Sequence, residues 1–327
     1  MRILFMGTPD IAASCLSALI EAGHDIVGAV CQPDRPRGRG HHMMKPPVKV
    51  LAEEHGIPVF QPETLKNGAF DDTIQLLAPD ISVVVAYGKI LPASVLFAPR
   101  LGSINVHASL LPRYRGAAPM QRALMDGVSE TGVTIMHMDE GLDTGDMIIS
   151  EVIPLDGTEN FEVLHDKTAA VGSRLLCRAV AMLAADEAPR EKQPEEGASY
   201  AAKITREDCV LDFSLSAGEL ARRIRALSPM PLALTALPNG RLIKISSARV
   251  VDADTVNEKE KCGLVASLCD RGEGEIVVLC AKGALALLSV RPEGKGTMTA
   301  AEFVRGRSLS VGDVLSAPAS LLEGERR

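Results

Sequence analysis

The apolar run at residues 81–86, with the sequence ISVVVA, constrains the fold of this chain more than any other segment. It lacks the strict alternation of polar and apolar residues that marks a strand with one face in water. Strands without that alternation have both faces covered, and they occur in parallel sheets flanked by helices. The run therefore predicts the centre of an α/β domain.

Strand-like and helix-like patterns alternate before this run. Strands are predicted at residues 1–6, 26–31 and 58–60, and helices at 10–22, 48–55 and 70–77. This alternation predicts a doubly wound, mostly parallel sheet with right-handed crossovers. Because ligands bind beyond the carboxyl ends of strands in such sheets, we expect one crevice to collect the strand ends near Gly7, Tyr87-Gly88 and residues 105–107.

The second half of the chain has a different pattern. After a predicted strand at 147–153 and a helix at 160–185, residues 186–197 are charged and contain two prolines, which is typical of a linker. A helix at 217–227 and five short strands between residues 233 and 290 then predict a small β-barrel. We therefore expect a first domain at 1–188, a linker at 189–205 and a second domain at 206–327.

Length and composition limit the class of protein. The 327 residues suffice for two domains of roughly 100 to 200 residues each. The seven cysteines include no CxxC pair, which favours a reducing compartment. No run approaches the ~20 apolar residues of a transmembrane helix, so we expect a cytoplasmic protein without a membrane partner. The net charge of −7 hides a basic segment, because residues 35–49 carry five basic residues and no acidic one.

Three polar residues are candidates for catalysis. Asn105 and His107 lie two residues apart in a predicted strand, so their side chains point to the same face. Asp143 lies in a turn where Gly141 and Gly145 are expected to permit backbone angles that other residues resist. An amide can stabilise a carbonyl oxygen that gains negative charge, an imidazole can carry a proton, and a carboxylate can orient the imidazole. Without an obvious nucleophile, these groups suit direct transfer between two substrates.

The same residues also have a purely structural interpretation. Buried polar side chains ordinarily find hydrogen-bond partners, so a histidine in a strand can be a satisfied core residue, and the spacing alone leaves both interpretations open. Other motifs are incomplete. Residues 7–10 lack the glycine series of a dinucleotide-binding turn, and residues 294–297 lack the first glycine of a phosphate-binding loop. No HExxH motif occurs, and we predict no metal site.

Seven segments resemble the methionyl-tRNA formyltransferase family. They are residues 5–10 (FMGTPD), 32–40 (QPDRPRGRG), 84–88 (VVAYG), 105–119 (NVHASLLPRYRGAAP), 130–134 (ETGVT), 141–146 (GLDTGD) and 200–205 (YAAKIT). The fourth and sixth segments are shared by the wider family of folate-dependent formyltransferases. The basic loop and the C-terminal domain narrow the resemblance to the enzymes that act on tRNA.

The resemblance implies transfer of a formyl group from 10-formyltetrahydrofolate to the α-amino group of methionyl-initiator tRNA, by a monomer without a metal. It implies that Asn105, His107 and Asp143 form the catalytic triad, and that the C-terminal domain is an OB-like barrel contacting tRNA backbone. The expected folate-binding residues are Ser109, Leu110, Leu111 and Pro112, to which we add Tyr87 and Gly88. The expected tRNA-binding residues are Arg35, Arg37, Arg39, Lys45 and Lys49.

The chain departs from the family pattern at a few positions, and two other functions stay open. His41 and His42 stand where lysines are common, and Tyr114 and Met230 stand where tryptophan is frequent. One alternative is another folate-dependent formyltransferase, with an amino sugar nucleotide or glycinamide ribonucleotide as acceptor. The other is a non-catalytic RNA-binding module. The basic loop weighs against the first alternative, and the presence of all three triad residues weighs against the second.

Overall fold

A computed structural model describes residues 1–37, 42–251 and 262–318. They group into two compact units: unit 1 holds residues 1–119, 130–154 and 165–201, and unit 2 holds residues 120–129, 155–164 and those from 202 onward. The segment 189–205, expected to be a linker, divides between them, since its residues up to 201 group with unit 1. In the part of the chain described, every helix is too short or too polar to cross a membrane.

A seven-stranded sheet forms the centre of unit 1. Its strands are β1 (Arg2–Gly7), β2 (Asp25–Val30), β5 (Val59–Phe60), β6 (Ile81–Val85), β7 (Ser103–His107), β9 (Glu130–His137) and β10 (Met147–Pro154). The spatial order is β10-β9-β7-β6-β1-β2-β5, and neighbours from β7 to β5 are parallel. The prediction of a mostly parallel sheet is confirmed, with β9 antiparallel to both β7 and β10.

Helices and two short strand pairs complete this half of the chain. The helices are α1 (Asp10–Glu21), α2 (Pro47–Glu54), α3 (Asp71–Leu77), α4 (Ala93–Leu96), α5 (Pro119–Asp126) and α6 (Phe161–Ala184). The antiparallel pair is β3 (Arg35–Arg37) with β4 (His42–Met44), and the parallel pair is β8 (Arg115–Gly116) with β11 (Tyr200–Ala201). The second pair lies in unit 1 and joins the segment after β7 to residues 200–201.

Burial explains why the central strands form where they do. All five residues of β6 are buried, as its uninterrupted apolar sequence predicts. Each fully buried Val, Leu or Ile side chain stabilises the fold by about 1.5–3 kcal/mol. In the sheet Val85 pairs with Gly7, and Val84 pairs with Asn105. The strand ends near Gly7, Tyr87 and His107 therefore lie at one edge, as expected for the crevice.

Unit 2 is built on an antiparallel sheet with the order β12-β13-β16-β15-β14, and β17 also pairs with β16. Its elements are a 3-10 turn (Glu207–Cys209), α7 (Ala217–Leu227), β12 (Ala233–Ala236), β13 (Leu242–Val251), β14 (Val265–Cys269), β15 (Glu275–Leu279), β16 (Ala284–Pro292), β17 (Met298–Thr299) and α8 (Ala300–Arg305). The predicted helix and short strands are found here, together with α8, which the sequence pattern did not predict.

Helix α7 shows how local sequence sets an element of unit 2. Ser216 caps it by accepting from the backbone N–H of Glu219, while the Glu219 carboxylate accepts from the backbone N–H of Ser216. This reciprocal cap satisfies two backbone donors at the helix start. Leu220, Ile224 and Leu227 are fully buried in the core of unit 2, so the apolar face of α7 packs onto the sheet.

Candidate active site

Strand β7 places Asn105 and His107 on one face. The strand pairs with β6 on one side and with β9 on the other, so its backbone is fixed across the middle of the sheet. Asn105 is half-buried and His107 is buried. Both side chains point toward the loop that connects β9 with β10.

Asp143 comes back to β7 from that loop. Its Oδ2 lies 3.6 Å from His107 Nδ1, and its Oδ1 accepts from Asn105 Nδ2 at 3.5 Å. The backbone N–H of Gly116 donates to Oδ2 at 2.8 Å. The side chains of His107 and Asp143 are 5% and 14% exposed. The structure thus brings together the three residues that the sequence singled out, in a mostly buried site within unit 1.

Both ring nitrogens of His107 face hydrogen-bond acceptors. Nε2 lies 2.9 Å from the backbone carbonyl oxygen of Tyr114, which can only accept, so Nε2 is the donor. Nδ1 faces the carboxylate of Asp143, which also only accepts when ionised. At 3.6 Å, the contact between Nδ1 and the Asp143 carboxylate is longer than a hydrogen bond. His107 is therefore bound to a backbone carbonyl on one side and faces a carboxylate on the other.

The expected role of Gly141 and Gly145 is wrong. Neither glycine has a φ in the left-handed region, and the residue that does is Asp143 itself, with φ +53°. A Cβ on Gly145 would lie 1.9 Å from the carbonyl oxygen of His137, and one on Gly141 would lie 2.0 Å from the hydroxyl of Thr144. The loop requires these glycines because it packs too closely for a side chain.

The residues expected to contact folate directly after β7 are held by hydrogen bonds. The hydroxyl of Ser109 donates to a backbone carbonyl of the same turn at 2.6 Å, and its own carbonyl accepts from the Thr134 hydroxyl at 2.8 Å. The N–H of Leu111 donates to the same hydroxyl at 3.2 Å. Leu110 and Pro112 are half-buried. The turn is therefore fixed beside the triad, and folate contact by these residues stays a prediction.

Tyr87 and Gly88 follow β6 at the same edge of the sheet. Tyr87 is 2% exposed, and its carbonyl accepts from the amide of Gln32 at 3.0 Å. Its hydroxyl is buried and has no hydrogen-bond partner among the described residues. Burial, with a smaller effect of the Cys31 thiol, raises the pKa of Tyr87 to about 12. The hydroxyl therefore keeps its proton near neutral pH.

The arginines expected to contact tRNA belong to or follow β3. Arg35 is exposed, and β3, which ends at Arg37, pairs with β4. Arg39 lies outside the described residues, as does His41. Arg35 is therefore accessible to a large ligand, and the tRNA contacts of all three arginines stay a prediction.

The two lysines of the basic segment make ion pairs within unit 1. Lys45 Nζ lies 2.5 Å from a carboxylate oxygen of Glu53. Lys49 Nζ lies 2.8 Å from Asp34 Oδ2 and 2.9 Å from the amide oxygen of Gln61, and its side chain is mostly buried. Lys49 thus has a structural role in anchoring the segment. Binding of tRNA by either lysine stays a prediction.

A cavity of about 350 Å³ lies at the start of β7, at the end away from His107. Its lining includes Ser103, His137, Leu183 and Arg190, and none of the predicted site residues. His137 is 6% exposed, and its Nε2 has no hydrogen-bond partner among the described residues. Burial and the charge of Arg190 lower the pKa of His137. The ring is therefore neutral near pH 7.

Sequence reasoning missed three contributors to the site. The carbonyl of Tyr114 and the N–H of Gly116 are backbone groups, so no side-chain motif in the sequence predicts their contacts. The amide of Gln193, which contacts the Asp143 loop, lies in the segment expected to be a linker. That segment has no apolar periodicity from which an ordered position could be predicted. Within the described ranges, no group of three or more His, Cys, Asp or Glu side chains is placed to hold a metal ion.

Known proteins match this chain over nearly its whole length. The formyl transferase family model matches residues 1–180, and the formyl transferase C-terminal domain model matches residues 203–308. The methionyl-tRNA formyltransferase of Syntrophus aciditrophicus (strain SB) is 45% identical over 315 residues, which cover 96% of this chain and 99% of that protein. The methionyl-tRNA formyltransferase of Symbiobacterium thermophilum is 48% identical over 318 residues, which cover 97% of this chain and 96% of that protein.

Solved structures share the fold at much lower identity. HypX from Aquifex aeolicus in complex with tetrahydrofolic acid has a TM-score of 0.66 at 16% identity, over 95% of this chain and 48% of that one. WlaRD, a sugar 3N-formyl transferase, has a TM-score of 0.62 at 17% identity, over 90% of this chain and 99% of that one. These likenesses show a common fold. The full-length relatives carry the assignment, and the chain belongs to the methionyl-tRNA formyltransferase family.

Proposed function

We propose that this protein transfers a formyl group from 10-formyltetrahydrofolate to the α-amino group of methionyl-initiator tRNA, acting as a cytoplasmic monomer in translation initiation. The observation that carries the proposal is the meeting of Asn105, His107 and Asp143 in one mostly buried site. The family to which the chain belongs supports the choice of donor and acceptor.

The reaction needs no covalent enzyme intermediate. The nitrogen of the methionine α-amine attacks the formyl carbon, and a tetrahedral intermediate forms. The bond between that carbon and the folate nitrogen then breaks, and the proton released by the amine passes to the folate nitrogen. The Asn105 amide donates to the formyl oxygen as it becomes negative, an effect that contributes about 10²–10³-fold per donor.

His107 and Asp143 act as a pair in this scheme. A protonated His107 adds positive charge near the same oxygen, and the Asp143 carboxylate holds the ring in the orientation seen at 3.6 Å. Asp143 also assists removal of the proton from the attacking amine and its relay to the leaving nitrogen. Positioned proton carriers contribute about 10²–10⁴-fold each.

Two surfaces would hold the substrates. The folate donor is assigned to the edge formed by residues 109–112 with Tyr87 and Gly88, which follow β7 and β6 at the same end of the sheet. The tRNA is assigned to Arg35, Arg37, Arg39, Lys45 and Lys49, and to the antiparallel sheet of unit 2, which we propose to be an OB-like barrel that contacts tRNA backbone. Phosphate contacts of this kind make binding weaken with salt.

The decisive experiment supplies one donor and several acceptors. The protein is incubated with 10-formyltetrahydrofolate and, separately, with initiator methionyl-tRNA, elongator methionyl-tRNA, glycinamide ribonucleotide and an amino sugar nucleotide, and products are identified by mass. We expect formylmethionine on initiator tRNA, with little product in the other arms. Preferential formylation of either small acceptor would replace the proposed substrate, and no product in any arm would remove the enzymatic proposal.

A second experiment tests the basic loop. Arg39→Ala is expected to weaken tRNA binding and to reduce the slope of log K against log salt by about 0.9 for each phosphate that the arginine no longer neutralises. The matched control is Lys66→Ala, since Lys66 is an exposed basic residue outside the loop. Equal salt slopes for Arg39→Ala and the wild type would show that Arg39 does not contact phosphate.

A further inference from the structure

The Gln193 side chain joins two segments of the site. Its Oε1 accepts from Arg115 Nε at 2.9 Å and from Arg115 Nη2 at 2.7 Å. Its Nε2 donates to the carbonyl of Asp143 at 2.9 Å and to the carbonyl of Gly145 at 2.8 Å. Arginine can only donate and carbonyls can only accept, so the four contacts fix which end of the amide is oxygen and which is nitrogen. The amide oxygen of Gln193 therefore accepts two hydrogen bonds, and the amide nitrogen donates two.

The backbone that Gln193 holds is the part of the loop that sets the position of Asp143. Asp143 has φ +53°, a conformation that non-glycine residues rarely adopt and that surrounding contacts must maintain. The two carbonyls bound by Gln193 lie on either side of Thr144. Their hydrogen bonds therefore restrain the peptide units that follow the catalytic carboxylate.

Arg115 links Gln193 to the residue that binds the Asp143 side chain. The next residue, Gly116, donates its N–H to Asp143 Oδ2 at 2.8 Å. Asp143 is thus held at its side chain by Gly116 and at its backbone by Gln193, and Arg115 connects these two supports. A substitution of Gln193 would therefore disturb both the side-chain and the backbone contacts of Asp143.

The chain around Gln193 is itself anchored on both sides. Glu191 and Met147 exchange backbone hydrogen bonds at 2.7 and 3.0 Å, which ties the segment to the start of β10. Ser199 accepts from the backbone N–H of Arg115 at 2.8 Å and, through its hydroxyl, from the N–H of Tyr114 at 2.9 Å. Gln193 therefore reaches the loop from a fixed backbone and not from a free linker.

From these contacts we infer that Gln193 is a positioning residue for formyl transfer, which holds the Asp143 carboxylate against His107 through the backbone of residues 143–145. This inference rests on the proposed function and deepens it. Gln193 acts only through Asp143, so it affects turnover and not the binding of either substrate. A displacement of about 1 Å in a catalytic group costs about 10²-fold in rate, which sets the scale of the effect.

The test compares two replacements of Gln193 with a neighbour. Gln193→Met keeps the length of the side chain and removes all four hydrogen bonds, and Gln193→Glu keeps an acceptor for Arg115 but sets carboxylate oxygens against the two carbonyls. Lys192→Met is the control, because Lys192 is the exposed adjacent residue. We expect kcat to fall about 10- to 100-fold in both Gln193 variants, with KM for folate and for tRNA changed less than about threefold. Lys192→Met is expected to match the wild type.

Two further measurements separate positioning from general destabilisation. Hydrogen exchange of residues 139–146 is expected to accelerate in both Gln193 variants while exchange in β1 and β6 is unchanged. In a double-mutant cycle, Arg115→Met and Gln193→Met are expected to be less than additive, since they share one set of contacts.

Several outcomes would overturn the inference. Wild-type kcat in Gln193→Met, an effect confined to KM, or loss of exchange protection throughout unit 1 would each show that Gln193 does not position Asp143. If the wild type itself formylates no acceptor, the proposed function fails. The hydrogen-exchange result then still decides whether Gln193 holds the loop.

Discussion

Replacement of Asp143 by asparagine is the sharpest test of the site. Asparagine keeps the shape of the side chain but offers one acceptor and one pair of donors where the carboxylate offers two acceptors. With its oxygen toward the N–H of Gly116, its amino group faces the Asn105 amide, which must then present its oxygen in place of its nitrogen. With the reverse orientation, its amino group meets the Gly116 N–H, which now lies 2.8 Å from Oδ2. The substitution therefore either turns the Asn105 amide or sets two donors against each other.

The structure sets the magnitude of the two effects. A donor left without an acceptor in a site that is 14% exposed lowers the free energy of unfolding by about 1–3 kcal/mol. Loss of the negative charge 3.6 Å from His107 Nδ1 removes the group that we propose to orient this ring during formyl transfer. We expect kcat for formyl transfer to fall about 10²–10⁴-fold, which corresponds to about 3–5 kcal/mol in the activation free energy.

The assay is single-turnover formylation of initiator methionyl-tRNA, read by mass, together with thermal unfolding of each variant. Glu140→Gln is the matched control, because it makes the same chemical change at an exposed position of the same loop. The control is expected to retain wild-type turnover. A folded Asp143→Asn protein with more than about a tenth of wild-type kcat would refute the assigned role, since that loss is smaller than a positioned proton carrier contributes.

Three further substitutions test other parts of the structure. His137→Gln is expected to raise stability below about pH 6.5, because a lowered pKa means that the unfolded chain binds more protons than the folded one as pH falls through that value; urea unfolding at several pH values measures this. Arg122→Met is expected to lower the free energy of unfolding by about 1–3 kcal/mol, since the Asp208 carboxylate loses donors at 2.7 and 2.8 Å. Gly145→Ala is expected to cost about 1–3 kcal/mol and to lower turnover, because its Cβ meets a backbone carbonyl.

Each of these substitutions has a control within the chain. His55→Gln, Arg206→Met and Gly296→Ala change the same residue types at exposed positions. A pH dependence of stability that is unchanged in His137→Gln would show that this ring does not set it. Wild-type stability in Arg122→Met would show that the ion pair with Asp208 contributes nothing. Full turnover in Gly145→Ala would show that the loop tolerates displacement.

The sequence predicts the centre of the fold well because burial leaves a clear pattern there. The run at 81–86 predicts a strand covered on both faces, and all five residues of β6 are buried. The helix at 217–227 is likewise found with the predicted bounds, because Ser216 and Glu219 form a cap whose residue types are visible in the sequence. In both cases short-range physical rules determine the element.

The sequence predicts the site only in part. Asn105 and His107 share a face because of the two-residue period of a strand, and this is a local rule. The antiparallel addition of β9 has no such signal, since an eight-residue strand with seven buried residues resembles any other buried strand. The direction of a strand depends on its connections and not on its composition. The position of Gln193 is also not predicted by its local sequence, because it depends on hydrogen bonds to segments that are distant in the chain.

The site also depends on backbone groups, whose positions no motif of side chains encodes. His107 Nε2 donates to the carbonyl of Tyr114, which has φ +58°, and Asp143 accepts from the N–H of Gly116, which has φ +113°. A Cβ on Gly116 would lie 2.6 Å from the ring of Tyr200, so only glycine fits where β8 pairs with β11. The same pairing that orders residues 200–201 therefore determines which backbone atoms face the triad. Because residues 191–201 hold both the backbone after β7 and the loop of Asp143, the chemistry at His107 depends on a segment whose own sequence predicts no structure.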